Sequence, residues 1–152
     1  MAEDVNRAVR NPSGSTPPRL IVGISGASGV TYGVRVLDAL RELGVESHLV
    51  VTRAALLTLS QETDLSADDL LGRADVSHRL NDVGASIASG SFRTMGMIIA
   101  PCSVRTMSEI ATGVTSTLLT RAADVVLKER RPLVLMVRET PLHLGHLRTM
   151  TA

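Results

Sequence analysis

A short apolar run, Arg19 to Ser25 (RLIVGIS), passes straight through the turn Gly26-Ala27-Ser28-Gly29 into a helical pattern, and this junction constrains the fold most. The run is rich in branched residues and reads as a buried strand. From about Val30 to Leu43, the residues Val34, Leu37, Leu40 and Leu43 recur at the spacing of one buried helix face. Gly44 then ends the helix, as glycine commonly does just past a C-terminus. Val45 to Thr52 (VESHLVVT) reads as a second strand, with another helix beginning near Arg53. This β-turn-α-β-α opening predicts an α/β fold, with a parallel sheet and right-handed crossovers.

The later segments are consistent with that prediction. Gln61 to Leu80 is polar with two weak helical stretches, and Asn81 to Arg93 reads as a Ser/Gly loop around Phe92. Met95 to Ala100 (MGMIIA) predicts a third strand stopped by Pro101, and Ser103 an N-cap for a helix through Ala111. Leu118 to Arg130 predicts a helix, Pro132 to Val137 (PLVLMV) a fourth, buried strand, and Pro141 the opening of a last helix. That helix is two turns long at Ala152, a stop in mid-pattern that predicts a missing C-terminal segment. Residues 1–18 mix Asp, Arg, Asn, Ser and Pro and read as a disordered leader, leaving 19–152 as one domain.

Composition excludes several classes of function. The 16 basic and 15 acidic side chains nearly cancel, so neither nucleic acid nor a membrane surface is an expected partner. No apolar run approaches the roughly 20 residues of a membrane helix. Cys102 is the only cysteine, which forbids an intrachain disulfide and predicts a reducing, cytoplasmic setting. With one Tyr, one Phe and no Trp, the core must be built from aliphatic residues and Met.

Open parallel sheets bind ligands at the carboxyl ends of their strands. Four candidate segments fall there: Gly26 to Gly29, Thr52-Arg53, Cys102 to Thr106, and Arg138-Glu139. The first lets backbone N–H groups and the Ser28 hydroxyl approach a phosphate at a helix start, or is a tight turn without a ligand. Ser103 and Thr106 offer hydroxyls beside Arg105, or simply cap a helix. Arg138 and Glu139 close a buried strand, where charges must be paired or functional. Lys128 to Arg131 is a charge run at a helix C-terminus, which the helix dipole favours whether or not it has a function. Cys102 reads as a buried inert thiol rather than a nucleophile. His143 and His146 stand one helical turn apart without further ligands, so no metal is expected.

The ordered series Gly26-Ala27-Ser28-Gly29, Ala88-Ser89-Gly90-Ser91, Pro101-Cys102-Ser103, Thr120-Arg121-Ala122-Ala123-Asp124, Leu127 to Leu135 and Arg138-Glu139-Thr140-Pro141 resembles the UbiX-type flavin prenyltransferases and their kin, the B subunits of phenolic-acid decarboxylases. The resemblance spans about Leu20 to Met150. It implies a Rossmann-like three-layer flavoprotein fold, a dodecamer with FMN at subunit interfaces, and transfer of a dimethylallyl group from dimethylallyl monophosphate to reduced FMN. The prenylated product would serve a UbiD-type decarboxylase. By resemblance, Gly26, Ala27, Ser28, Thr52, Ser103, Val104, Arg105, Thr106 and Arg138 contact FMN. Ser89 and Ser91 border the same cofactor and the prenyl phosphate, and Glu139, Lys128, Arg121 and Ser28 are the catalytic set. The family's C-terminal tyrosine and basic residues lie beyond Ala152. Two other activities remain open: an FMN-binding accessory subunit of an aromatic-acid decarboxylase, and an FMN-dependent cysteine-type decarboxylase.

Overall fold

A computed structural model describes residues 16–152. Most of the leader expected at 1–18 therefore lies outside the described residues. The chain runs β1 (Arg19–Ile24), α1 (Val30–Glu42), β2 (Glu46–Val51), α2 (Arg53–Glu62), α3 (Ala67–Leu71), β3 (Val76–His78), β4 (Met97–Cys102), α4 (Val104–Thr112), α5 (Leu118–Lys128), β5 (Leu133–Val137) and α6 (Leu144–Thr151). A single 3-10 turn, Ser86–Ala88, interrupts the loop before β4. All strand pairs are parallel, in the order β3-β2-β1-β4-β5. The chain winds outward from β1 to one edge, then returns to lay β4 on the other side of β1. A crevice therefore opens between the carboxyl ends of β1 and β4.

Successive side chains of a strand point to opposite faces, and the two cores follow that alternation. Val22, Ile24, Leu49 and Val51 pack with Val34, Leu37 and Leu40 of α1 and Leu59 of α2. Ile21, Val50, Met97 and Ile99 pack on the other face with Met107 of α4 and Leu118, Leu119 and Val126 of α5. Two helical layers thus enclose the sheet in the expected three-layer, Rossmann-like fold. Leu119 is fully buried, and truncating such a residue to Ala costs about 2–5 kcal/mol. Among the described residues, no helix is long and apolar enough to cross a membrane.

The structure differs from the sequence reading in several places. First, β3 is a fifth strand, three residues long at the sheet edge with Val76 and Ser77 exposed, inside a segment read only as polar and weakly helical. Second, β4 does not stop at Pro101 but continues to Cys102, where it pairs with Val137 after an irregularity beyond Ile99. Third, β5 is not a buried strand. It forms the other edge, and Val134 and Met136 alternate outward at 54% and 37% exposure. The last helix is opened by His143 rather than Pro141, its Nδ1 accepting the N–H of Gly145 at 3.0 Å.

His48, in β2, is buried. Its Nε2 lies 2.8 Å from the Glu46 carboxylate and its Nδ1 3.0 Å from Nε2 of His78. Both ring nitrogens of His48 thus have a hydrogen-bond partner. Burial, with the nearby His48 adding to it, holds the His78 pKa below the usual histidine value, while Asp82 opposes the shift.

Candidate active site

Four strand ends converge beside the crevice, tied in a row by short hydrogen bonds. Thr52 donates its N–H to Ile24 at 3.0 Å, joining β2 to β1. The Ser103 N–H donates to Ser25 Oγ at 2.7 Å, joining β4 to β1. The Arg138 N–H donates to the Cys102 carbonyl at 3.1 Å, joining β5 to β4. Gly26, Ala27, Ser28, Thr52, Ser103, Val104, Arg105, Thr106, Arg138 and Glu139 are thereby assembled at one end of the sheet.

Within this group, Gly26 and Ser28 are exposed. Among the described residues, the N–H groups of both and the Ser28 hydroxyl make no hydrogen bond within the chain. Gly29 has φ 99°, a left-handed backbone that lets α1 start immediately after the turn. Gly26 presses on the start of α2, where an added Cβ would overlap the Ala54 methyl. The opening of α1 is already occupied. Glu62, at the end of α2, accepts the N–H of Gly29 at 2.9 Å and of Val30 at 3.1 Å. Its carboxylate stands where a phosphate was expected, and a second anion there would meet like charge. The anion donors left over open α2 and α4, beside the exposed Arg53 and Arg105.

At α4 the capping reading is correct. The Ser103 hydroxyl accepts the Thr106 N–H at 3.2 Å and donates to Thr106 Oγ1 at 3.1 Å, and Thr106 is buried. The N–H groups of Val104 and Arg105 find no acceptor among the described residues, as is usual for a helix opening. Arg138 and Glu139 are exposed rather than held as a buried pair, and the Glu139 carboxylate accepts the Thr140 N–H at 3.0 Å. Cys102 is fully buried, and burial pushes its thiol up to about 12, so it supplies no thiolate.

Arg121 lies in the first turn of α5, whose start is tied to Leu80 beyond β3, and it pairs with Asp124 at 3.2 Å. Lys128, Ser89 and Ser91 do not join this group. The Arg131 guanidinium donates to the carbonyls of Phe92 and Gly90, both at 2.8 Å, and holds their loop at the amino end of β5. Lys128 closes α5 at the same end, and Ser89 and Ser91 share a hydrogen bond of 2.9 Å there. Five steps of about 3.3 Å along a strand put this group about 17 Å from the Gly26 turn.

Sequence reasoning missed Ser25 and Glu62. Ser25 reads as the last residue of an apolar strand, and nothing local marks Glu62 as the cap of a helix 32 residues earlier.

Known proteins match both the sequence and the fold. The Flavoprotein family matches residues 9–150. The flavin prenyltransferase UbiX of Escherichia coli strain K12 is 64% identical over 134 residues, 88% of this chain and 71% of that protein. Among solved structures, AnUbiX in complex with FMN and dimethylallyl pyrophosphate superposes with a TM-score of 0.89 at 47% identity, covering 90% of this chain and 72% of that one. A dodecameric FMN-dependent UbiX-like decarboxylase from Escherichia coli O157:H7 gives a TM-score of 0.86 at 51% identity, covering 88% and 72%.

Proposed function

The chain belongs to the UbiX-type flavin prenyltransferase family, and on that premise we propose that it joins a dimethylallyl group from dimethylallyl monophosphate to reduced FMN, making prenylated FMN for a UbiD-type decarboxylase. What carries this reading is the coincidence of 64% identity to such an enzyme with donors, unpaired among the described residues, at the carboxyl ends of β1 and β4. The residues fit a flavin phosphate and its polar ring edge. Among the described residues, the N–H groups of Gly26, Ser28, Val104 and Arg105 and the Ser28 hydroxyl have no hydrogen-bond partner, and Thr52, Ala27 and Arg138 border them. When bound, reduced FMN supplies the nucleophilic N5 and C6 positions that accept the prenyl group.

Breaking an allylic C–O bond leaves negative charge on the departing phosphate. Lys128 and Arg121 supply the cations that stabilise it, and a monophosphate held this way needs no metal. Glu139 is exposed beside the crevice and moves protons during ring closure or phosphate departure. Lys128, Ser89 and Ser91 are too far from the Gly26 turn to serve their own subunit. In a dodecamer like that of the related decarboxylase, they serve the flavin of a neighbour. The buried, reduced Cys102 suits a cytoplasmic setting.

Mass spectrometry of the flavin extracted after anaerobic incubation with FMN, a reductant and dimethylallyl monophosphate tests the proposal. A C5H8 addition supports it. Unmodified FMN together with a decarboxylated thiol product supports a cysteine-type decarboxylase instead, and unmodified FMN alone an accessory subunit.

A further inference from the structure

We propose that Ser25 is the positioning residue of the flavin site: its buried hydroxyl sets the width of the crevice without touching the cofactor. The regular ladder between β1 and β4 runs from Ile21↔Met97 to Gly23↔Ile99. Pro101, two residues on, has no N–H to continue the ladder. Beyond that point Ser25 replaces the ladder. Its N–H donates to the Pro101 carbonyl at 3.2 Å, its hydroxyl donates to the same oxygen at 3.0 Å, and Oγ accepts the Ser103 N–H at 2.7 Å. Ser25 is 1% exposed, so no solvent replaces these bonds when the hydroxyl is lost.

The residue after Ser25 is Gly26, and the residue after Ser103 is Val104, whose N–H has no partner among the described residues. One side chain therefore joins the two segments that carry the cofactor donors. Alanine leaves the Ser103 N–H without its acceptor, and the start of α4 moves to find another. Threonine keeps the hydroxyl.

This inference rests on the flavin being bound in that crevice, so the test checks the crevice separately. Hydrogen–deuterium exchange of the wild-type protein, with and without FMN, reports on peptides covering 26–29 and 103–106. Protection of both places the flavin there, and protection of neither overturns the site and Ser25's role with it. FMN affinity of Ser25→Ala, Ser25→Thr and Ser25→Cys is then read from quenching of flavin fluorescence. We expect Ser25→Ala to weaken FMN by about tenfold, with faster exchange at 103–106 in the free protein, and Ser25→Thr to stay within about twofold of wild type. Ser25→Cys, of similar size but with a weak acceptor, falls between them and takes the place of the alanine variant if that variant fails to fold. If FMN protects both peptides yet the alanine variant (or the cysteine variant in its place) binds FMN as wild type does, Ser25 is only a strand-end tie and the proposal is overturned. A lowered melting temperature with unchanged affinity counts the same way.

Discussion

Gly26→Ala isolates the contact between the flavin turn and α2. Gly26 is not among the residues with a positive φ, so alanine meets no dihedral penalty there. In open space the change would stabilise the fold by about 0.4–1 kcal/mol, through a less flexible unfolded chain. Space is not open. The new Cβ would overlap the Ala54 methyl and stand 3.1 Å from the Ala54 carbonyl carbon and 3.2 Å from its Cα. Two of those three atoms are backbone, so the turn or the start of α2 must shift. Overpacking of this kind costs about 1–3 kcal/mol. The steric term wins, leaving a net loss of about 1–2 kcal/mol after the entropic gain is set against it. Urea midpoints of Gly26→Ala, Ala54→Gly and the double variant measure it. Removing the Ala54 methyl should restore part of the loss, as a favourable coupling of at least about 0.5 kcal/mol. A Gly26→Ala protein as stable as wild type, or a double variant showing no coupling, refutes the steric reasoning.

Further outcomes follow from other sites. Glu139→Gln should keep FMN affinity and slow prenylation by about 10²–10⁴-fold in single-turnover assays, and an unchanged rate would strip Glu139 of its proton-transfer role. His78 has a folded pKa held below the ordinary histidine value of 6.5, so the unfolded chain takes up a proton first as pH falls. The stability it contributes is therefore complete above pH 6.5 and declines below it. His78→Gln should flatten that part of the plot of urea midpoint against pH, and an unaltered slope would assign the decline to other groups.

The periodic parts of the fold were legible in the sequence because their spacing reflects burial. Val34, Leu37 and Leu40 face one core, and every strand with a continuous apolar run was found. β3 was not, since a three-residue edge strand with exposed Val76 and Ser77 carries no such signal. β5 was found but read as buried, because a run such as Leu133 to Val137 looks the same at an edge as in the middle. Residues that closely follow a strand, such as Gly26, Thr52 and Arg138, lie at the carboxyl end of the sheet as their place in the sequence predicts. Glu62 and Ser25 escaped because their partners lie 32 and 78 residues away. The position of Lys128 was within reach. A helix leading into a parallel strand must finish at that strand's amino end, opposite the Gly26 turn.

That opposition bears on the genetics of the protein. If each reaction centre takes Ser28 from one copy and Lys128 from another, a damaged Ser28 and a damaged Lys128 are different lesions, even within one polypeptide. Subunits carrying only the first and subunits carrying only the second, assembled together, recreate some centres in which both groups are intact. Two copies damaged at the same end never do. Paired alleles should therefore sort into two complementation classes, one for each end of the sheet.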